Sequence, residues 1–98
     1  MIKKKVFVIK KRLWETEDLL GFEDGMVLVV KNTTPDVQII LSRTTGIITE
    51  INNLLCHAAI ISRENKIPLI MGQEKITSKL KTGDVIEVDF DKKIWKKF

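Results

Sequence analysis

The chain holds one histidine and one cysteine, and they are neighbours: Cys56 and His57 lie inside the run NNLLCHAAIISR, residues 52–63. Neutral imidazole is a nucleophile at physiological pH, able to accept a group at nitrogen and release it again. The adjacent thiol is the competing nucleophile, but cysteine more often packs as a small apolar side chain. A lone histidine in an apolar run is likewise more often a packed residue than a reactive one. Position weighs on the other side. The apolar run around His57 favours a helix from about Leu55 to Glu64, which puts the ring near its start. The first backbone N–H groups of a helix have no intrahelical partner and carry partial positive charge, so they suit an arriving anion. The chemistry that fits is transfer of an anionic group, such as a phosphoryl group, to and from His57.

That helix needs a scaffold, and the flanking sequence supplies one. Val6 to Ile9 is β-branched and aromatic and reads as a strand. Thr16 is placed to cap a short helical turn with Glu17 and Asp18 in it, ended by Gly21. Met26 to Lys31 reads as a buried strand. Thr34 is placed as an N-cap ahead of Pro35 at the first helical position, and Val37, Ile40 and Leu41 then share one helix face. A strand at IITE follows Gly46, and Asn52 and Asn53 suit a turn. Beyond the His57 helix, Asn65 suits a C-cap and Pro68 follows it. PLIM reads as a short strand, EKITSKL as a short helix, and Val85 to Asp89 as a strand, with a last strand carrying Ile94 and Trp95. Strands alternating with short helices imply an α/β fold around a mostly buried sheet.

Ninety-eight residues suit one domain, residues 1–98. A single cysteine makes no internal disulfide, so a reducing cytoplasm is the expected setting. No apolar stretch is long enough for a signal sequence or a membrane span. The net charge of +4 comes from short clusters: Lys3 to Lys5, Lys10 to Arg12, and Lys92, Lys93, Lys96 and Lys97. Nucleic-acid binding would call for basic residues on one face with aromatics or a known module. Neither a Gly-aromatic signature nor a zinc-ligand set is present, so the lysines are expected to solvate edge strands.

Residues 46–72 read GIITEINNLLCHAAIISRENKIPLIMG. Cys56, His57, Ala58, Ala59, Ile60 and Arg63, followed by KIPLIMG, match in order and spacing a motif centred on histidine. The segment resembles the phosphohistidine, or swivelling, mobile domain of the PEP-utilising enzymes, which include pyruvate phosphate dikinase, PEP synthase and enzyme I of the sugar phosphotransferase system. GMVLVVKNTTPD and LKTGDVIEVDF are similar to the flanks of that domain, so the resemblance covers about residues 6 to 95. It implies a single swivelling β/β/α domain that carries a phosphoryl group on His57. It implies Thr34, Asn53, Leu55, Cys56 and Arg63 as the residues to examine around the phosphate, and no metal ligands. No cofactor is expected on this domain. Mg²⁺ and ATP or PEP would belong to partners, a separate ATP-grasp protein, a PEP- or pyruvate-binding protein, or both. The chain would then be part of a phosphotransferase rather than a complete enzyme.

Two departures support a second reading. Where the motif has two glycines this chain has Asn52 and Asn53, and where it has a threonine two positions before the histidine it has Leu55. A degenerate domain with a binding or regulatory role and no phosphotransfer would tolerate both changes. Thr34 is a helix cap first and a phosphate contact second. Arg63 stands six residues beyond His57, off its helix face, and is suited to anchoring the helix or docking a partner.

Overall fold

The computed structural model describes residues 1–52 and 57–98. Among the described residues six strands form one sheet: β1 (Ile2–Ile9), β2 (Val27–Val30), β3 (Gly46–Thr49), β4 (Leu69–Ile70), β5 (Val85–Asp89) and β6 (Ile94–Lys97). Their order is β4-β3-β2-β1-β5-β6. Neighbours among β1 to β4 are parallel, whereas β5 is antiparallel to both β1 and β6. A 3-10 helix at Thr16–Leu19 joins β1 to β2, and a second at Pro35–Ile40 joins β2 to β3. Helix α1 (His57–Asn65) precedes β4, and α2 (Ile76–Lys79) precedes β5.

In their parallel half the strands are apolar at every position but the buried Thr49 and Gly46, because both faces are covered. Phe7, Leu28, Ile47 and Leu69 lie in register across the sheet and pack toward the two 3-10 helices and α1, with Trp14, Val37, Ile40 and Ile61. Val8, Val29, Ile48 and Ile70, one residue on, face the opposite way, toward Ile76, Leu80, Ile86, Val88 and Phe90. β1 makes this possible by serving two partners. Its first half, Ile2 to Lys5, pairs with β5, and its second half, Val6 to Ile9, pairs with β2. The sheet therefore curls, β5 and β6 fold across its back, and the result is the expected β/β/α arrangement.

Gly46 lies on the covered back face, and the Phe90 ring occupies the space a side chain would need. Gly46→Ala is accordingly expected to lower stability by about 1–3 kcal/mol, since ring and strand cannot both stay in place. Thermal unfolding followed by circular dichroism will show it as a fall in Tm of roughly 4–8 °C for each kcal/mol. An unchanged Tm would mean that Phe90 packs elsewhere.

Several local expectations need correction. The first strand begins at Ile2 rather than Val6, because the Lys3 to Lys5 backbone pairs with β5; these lysines lie inside the strand order, not on an edge strand. Lys96 and Lys97 do lie on the edge strand β6. The first 3-10 helix takes Glu15, not Thr16, as its N-cap, with the Asp18 carboxylate accepting the Glu15 backbone N–H at 3.0 Å. Thr34 does hold the N-cap position before Pro35, but its side chain makes no capping hydrogen bond. At the end of α1 the left-handed residue is Lys66, with φ of 55°, rather than Asn65. The Ile67 N–H closes that end on the Ser62 carbonyl at 2.9 Å, and the Asn65 amide donates back to the Ile61 carbonyl at 2.9 Å.

Candidate functional site

His57 opens α1 as described and is half-buried. Its Nδ1 lies 2.6 Å from the Thr33 hydroxyl oxygen. Two elements make that contact. The Thr33 side arrives from the end of β2, where the chain leaves the sheet for the second 3-10 helix. The His57 side is set by α1, whose next two residues, Ala58 and Ala59, are buried and small enough for close packing on Ile51, Leu69 and Met71.

Thr33 is itself fixed. It is 6% exposed, and its backbone N–H donates to the Asn32 side-chain oxygen at 2.8 Å. The Asn32 carbonyl in turn accepts the indole N–H of Trp14 at 2.9 Å. Trp14 is 2% exposed, so the line from Trp14 through Asn32 and Thr33 to His57 is rooted in the core. With the ring proton on Nδ1 the imidazole donates to the Thr33 oxygen and Nε2 keeps an in-plane lone pair; with the proton on Nε2 the Thr33 hydroxyl donates to Nδ1 instead. In either tautomer the contact fixes the ring at Nδ1.

The exit from β3 is held on both sides. Glu50 and Ile51 N–H groups donate to the Val30 and Lys31 carbonyls at 3.1 and 3.2 Å. From the other side, Gly72 N–H donates to Ile51 and Gln73 N–H to Thr49, both at 3.0 Å. Gly72 has φ of +78°, and the Asn52 side chain comes within 3.2 Å of where its Cβ would stand. A side chain at 72 would thus meet backbone strain and Asn52 together.

Glu50 ties three elements together. One carboxylate oxygen accepts the Thr77 hydroxyl at 2.6 Å and the Thr77 backbone N–H at 3.0 Å, while the other lies 3.2 Å from the Lys31 ammonium. Burial alone would raise its pKa, but the Thr77 hydrogen bonds and Lys31 outweigh that and hold it below the ordinary value of 4.5. A depressed carboxylate contributes stability that is complete above its unfolded pKa and lost as pH falls through its folded one. Glu50→Gln is therefore expected to destabilise the protein at neutral pH and to cost progressively less as pH falls below about 4.5. Unfolding midpoints of both chains between neutral and acid pH will check this; a constant gap across the range would mean that Glu50 works through packing alone.

The expected site residues are distributed as follows. Thr34 adjoins Thr33, and its hydroxyl oxygen is buried with no hydrogen-bond partner among the described residues. Arg63 is exposed and lines a groove with Ala59, Ser62, Ile67, Leu69, Met71 and Lys93, a set that does not include His57. Asn53, Leu55 and Cys56 lie outside the described residues. Thr33, Trp14 and Glu50 were not singled out from sequence. The tandem Thr33-Thr34 at a strand end was the available signal for the first. Among the described residues no group of three or more His, Cys, Asp or Glu side chains could hold a metal ion, and no helix is long and apolar enough to cross a membrane.

The curled α/β sheet, with a histidine on a covering helix held to a threonine hydroxyl, is the arrangement expected of a phosphohistidine-type domain. The chain is similar to a structure of Enzyme I solved by NMR in solution, with a TM-score of 0.63 and 27% identity, over 81% of this chain and 33% of that one. Residues 22–93 match the family model for the PEP-utilising enzyme, mobile domain, and the chain belongs to that family. A probable phosphoenolpyruvate synthase of Archaeoglobus fulgidus is 37% identical over 86% of this chain, and a pyruvate kinase of Bacillus licheniformis is 43% identical over 68% of it. The chain spans only 11% and 12% of the lengths of those two relatives.

Proposed function

We propose that this domain is a phosphoryl carrier and that His57 is its acceptor. The observation that supports this most directly is the Thr33–His57 contact, which orients the ring in a member of the mobile-domain family. In the forward step the Nε2 lone pair attacks phosphorus, an N–P bond forms, and the donor's P–O bond breaks with its electron pair leaving on the donor oxygen. The ring becomes cationic, and the Nδ1 proton stays in its hydrogen bond to Thr33. In the second step an acceptor oxygen attacks phosphorus and the N–P electron pair returns to Nε2. Thr34 stands beside Thr33, its hydroxyl has no partner among the described residues, and it is assigned as an additional donor to the phosphate. Asn53, Leu55 and Cys56 complete the proposed phosphate surroundings, and Arg63 is assigned to partner docking.

The domain supplies only the acceptor. ATP or PEP and Mg²⁺ are assigned to partners, an ATP-grasp protein, a PEP- or pyruvate-binding protein, or both, as the resemblance to the family implies. The setting proposed is cytoplasmic. The competing reading, a degenerate module, is favoured by Asn52, Asn53 and Leu55 standing where the motif has Gly, Gly and Thr. Incubation with an active donor domain of the family and labelled substrate separates the two. A carrier takes one acid-labile, base-stable label per chain. A degenerate module takes none until Asn52→Gly, Asn53→Gly and Leu55→Thr are introduced together. No label in either chain would sink the carrier assignment.

A further inference from the structure

A groove of about 360 Å³ is lined by Arg12, Lys31, Asn32, Glu50 and Ile51, of which Asn32 directly precedes Thr33, the partner of His57. Arg12 follows β1, Lys31 and Asn32 follow β2, and Glu50 and Ile51 follow β3, so the groove lies across the carboxyl ends of three parallel strands. That end of an open α/β sheet is where ligands bind. Asn32 joins the groove directly to Thr33, and Thr33 to His57.

The charges in the groove are unevenly spent. Glu50 is its one acid, and both of its oxygens are engaged, by Lys31 on one side and Thr77 on the other. Arg12 is exposed and has no hydrogen bond or ion pair among the described residues, unlike neighbouring Lys11, which pairs with Asp18 at 3.1 Å. The groove thus presents a free guanidinium, an ammonium with donors beyond its Glu50 contact, and the Asn32 side chain. A guanidinium offers a fork of N–H groups matched to two phosphate oxygens.

We infer that this groove is a phosphate subsite in which Arg12, assisted by Lys31, binds a phosphoryl oxyanion next to His57. The inference rests on the carrier reading for its biological meaning but not for its test. The phosphate has two possible sources: the group carried on His57, or the phosphate of a donor or acceptor molecule presented by a partner. Glu50 opposes the anion and restrains Lys31, so it sets the affinity low enough for release.

The test is titration of the ¹⁵N-labelled chain with inorganic pyrophosphate, followed by amide chemical shifts. Saturable shifts are expected at residues 12 to 14 and 31 to 33, in the native chain and in His57→Ala alike. Arg12→Gln is expected to weaken binding by about three- to tenfold, with Arg12→Lys intermediate, as for a partly exposed bidentate contact. Glu50→Gln, which frees Lys31, is expected to tighten it by roughly threefold. Shifts in His57→Ala assign the subsite to a free phosphate. Shifts seen only when the native chain carries a phosphoryl label, and altered by Arg12→Gln, assign it to the group on His57. Shifts confined to Lys3–Lys5 or Lys92–Lys93, or affinity unchanged in Arg12→Gln, would overturn the inference. Labelling of His57 is scored separately, so failure of the groove and failure of the carrier reading give different results.

Discussion

His57→Ala will reduce phosphoryl labelling by an active donor to background, and Thr33→Val will slow it by roughly ten- to a hundredfold while leaving the label on His57. The two losses have different causes. Alanine removes the attacking nitrogen. Valine keeps the shape of Thr33 and removes only the oxygen that lies 2.6 Å from Nδ1. That oxygen matters most when the ring becomes cationic, because the Nδ1 hydrogen bond is then charge-assisted and worth about 1.5–3 kcal/mol. Since the contact also exists in the resting ring, part of its worth is orientation, and single-turnover rates at saturating donor will isolate that part. Thr33→Ser, which restores the oxygen, should recover most of the rate. If Thr33→Val labels at the native rate, the Thr33 contact is structural and the tautomer is set elsewhere.

This pair also indicates where the sequence was legible. The strands were readable because their apolar runs and bounding turns are local properties. Val85 to Asp89 was placed to the residue, and Val37, Ile40 and Leu41 are buried as their spacing implied. Strand β1 was cut short because Lys3 to Lys5 look like solvent-facing chain until β5, some 80 residues later, arrives to pair with them. His57 was conspicuous as the lone imidazole in an apolar run. Its partner was not. Thr33 reaches the ring only because β2 and β3 are adjacent, a fact of topology that no spacing within residues 31–36 encodes. The sequence directed attention to Thr34, the residue with cap grammar, and the structure gives the ring contact to its neighbour. Glu50 was invisible for the same reason, since its partners lie 19 and 27 residues away. The apolar runs, whose meaning is local, were read correctly; the caps at Thr16 and Asn65 each lay one residue from the observed position, and contacts that depend on a crossover were not read at all.

Trp14 illustrates the second kind and carries the largest expected effect on stability. It follows the basic run Lys10 to Arg12, in a segment with no strand or helix of its own, yet it is 2% exposed. Its ring fills the core layer with Phe7, Leu19, Phe22 and Val37, and its indole N–H holds the Asn32 carbonyl at 2.9 Å. Trp14→Ala should cost about 3–5 kcal/mol through the cavity it leaves. A small domain has about 5–15 kcal/mol in total, so this variant is expected to be partly unfolded near physiological temperature. Trp14→Phe separates the two roles. It keeps most of the packing but withdraws the donor from a carbonyl that sits one residue before Thr33. Its stability should fall less than that of the alanine variant, by about 1–3 kcal/mol if the carbonyl is left unsatisfied. Labelling of His57 should slow in Trp14→Phe even at a temperature where it is fully folded, because Asn32 then no longer fixes the approach of Thr33 to the ring. Denaturant unfolding gives the first quantity and single-turnover labelling the second. A phenylalanine variant that is destabilised but labels at the native rate would show that Trp14 supports the core alone, and that the hydroxyl of Thr33 is held by the sheet without it.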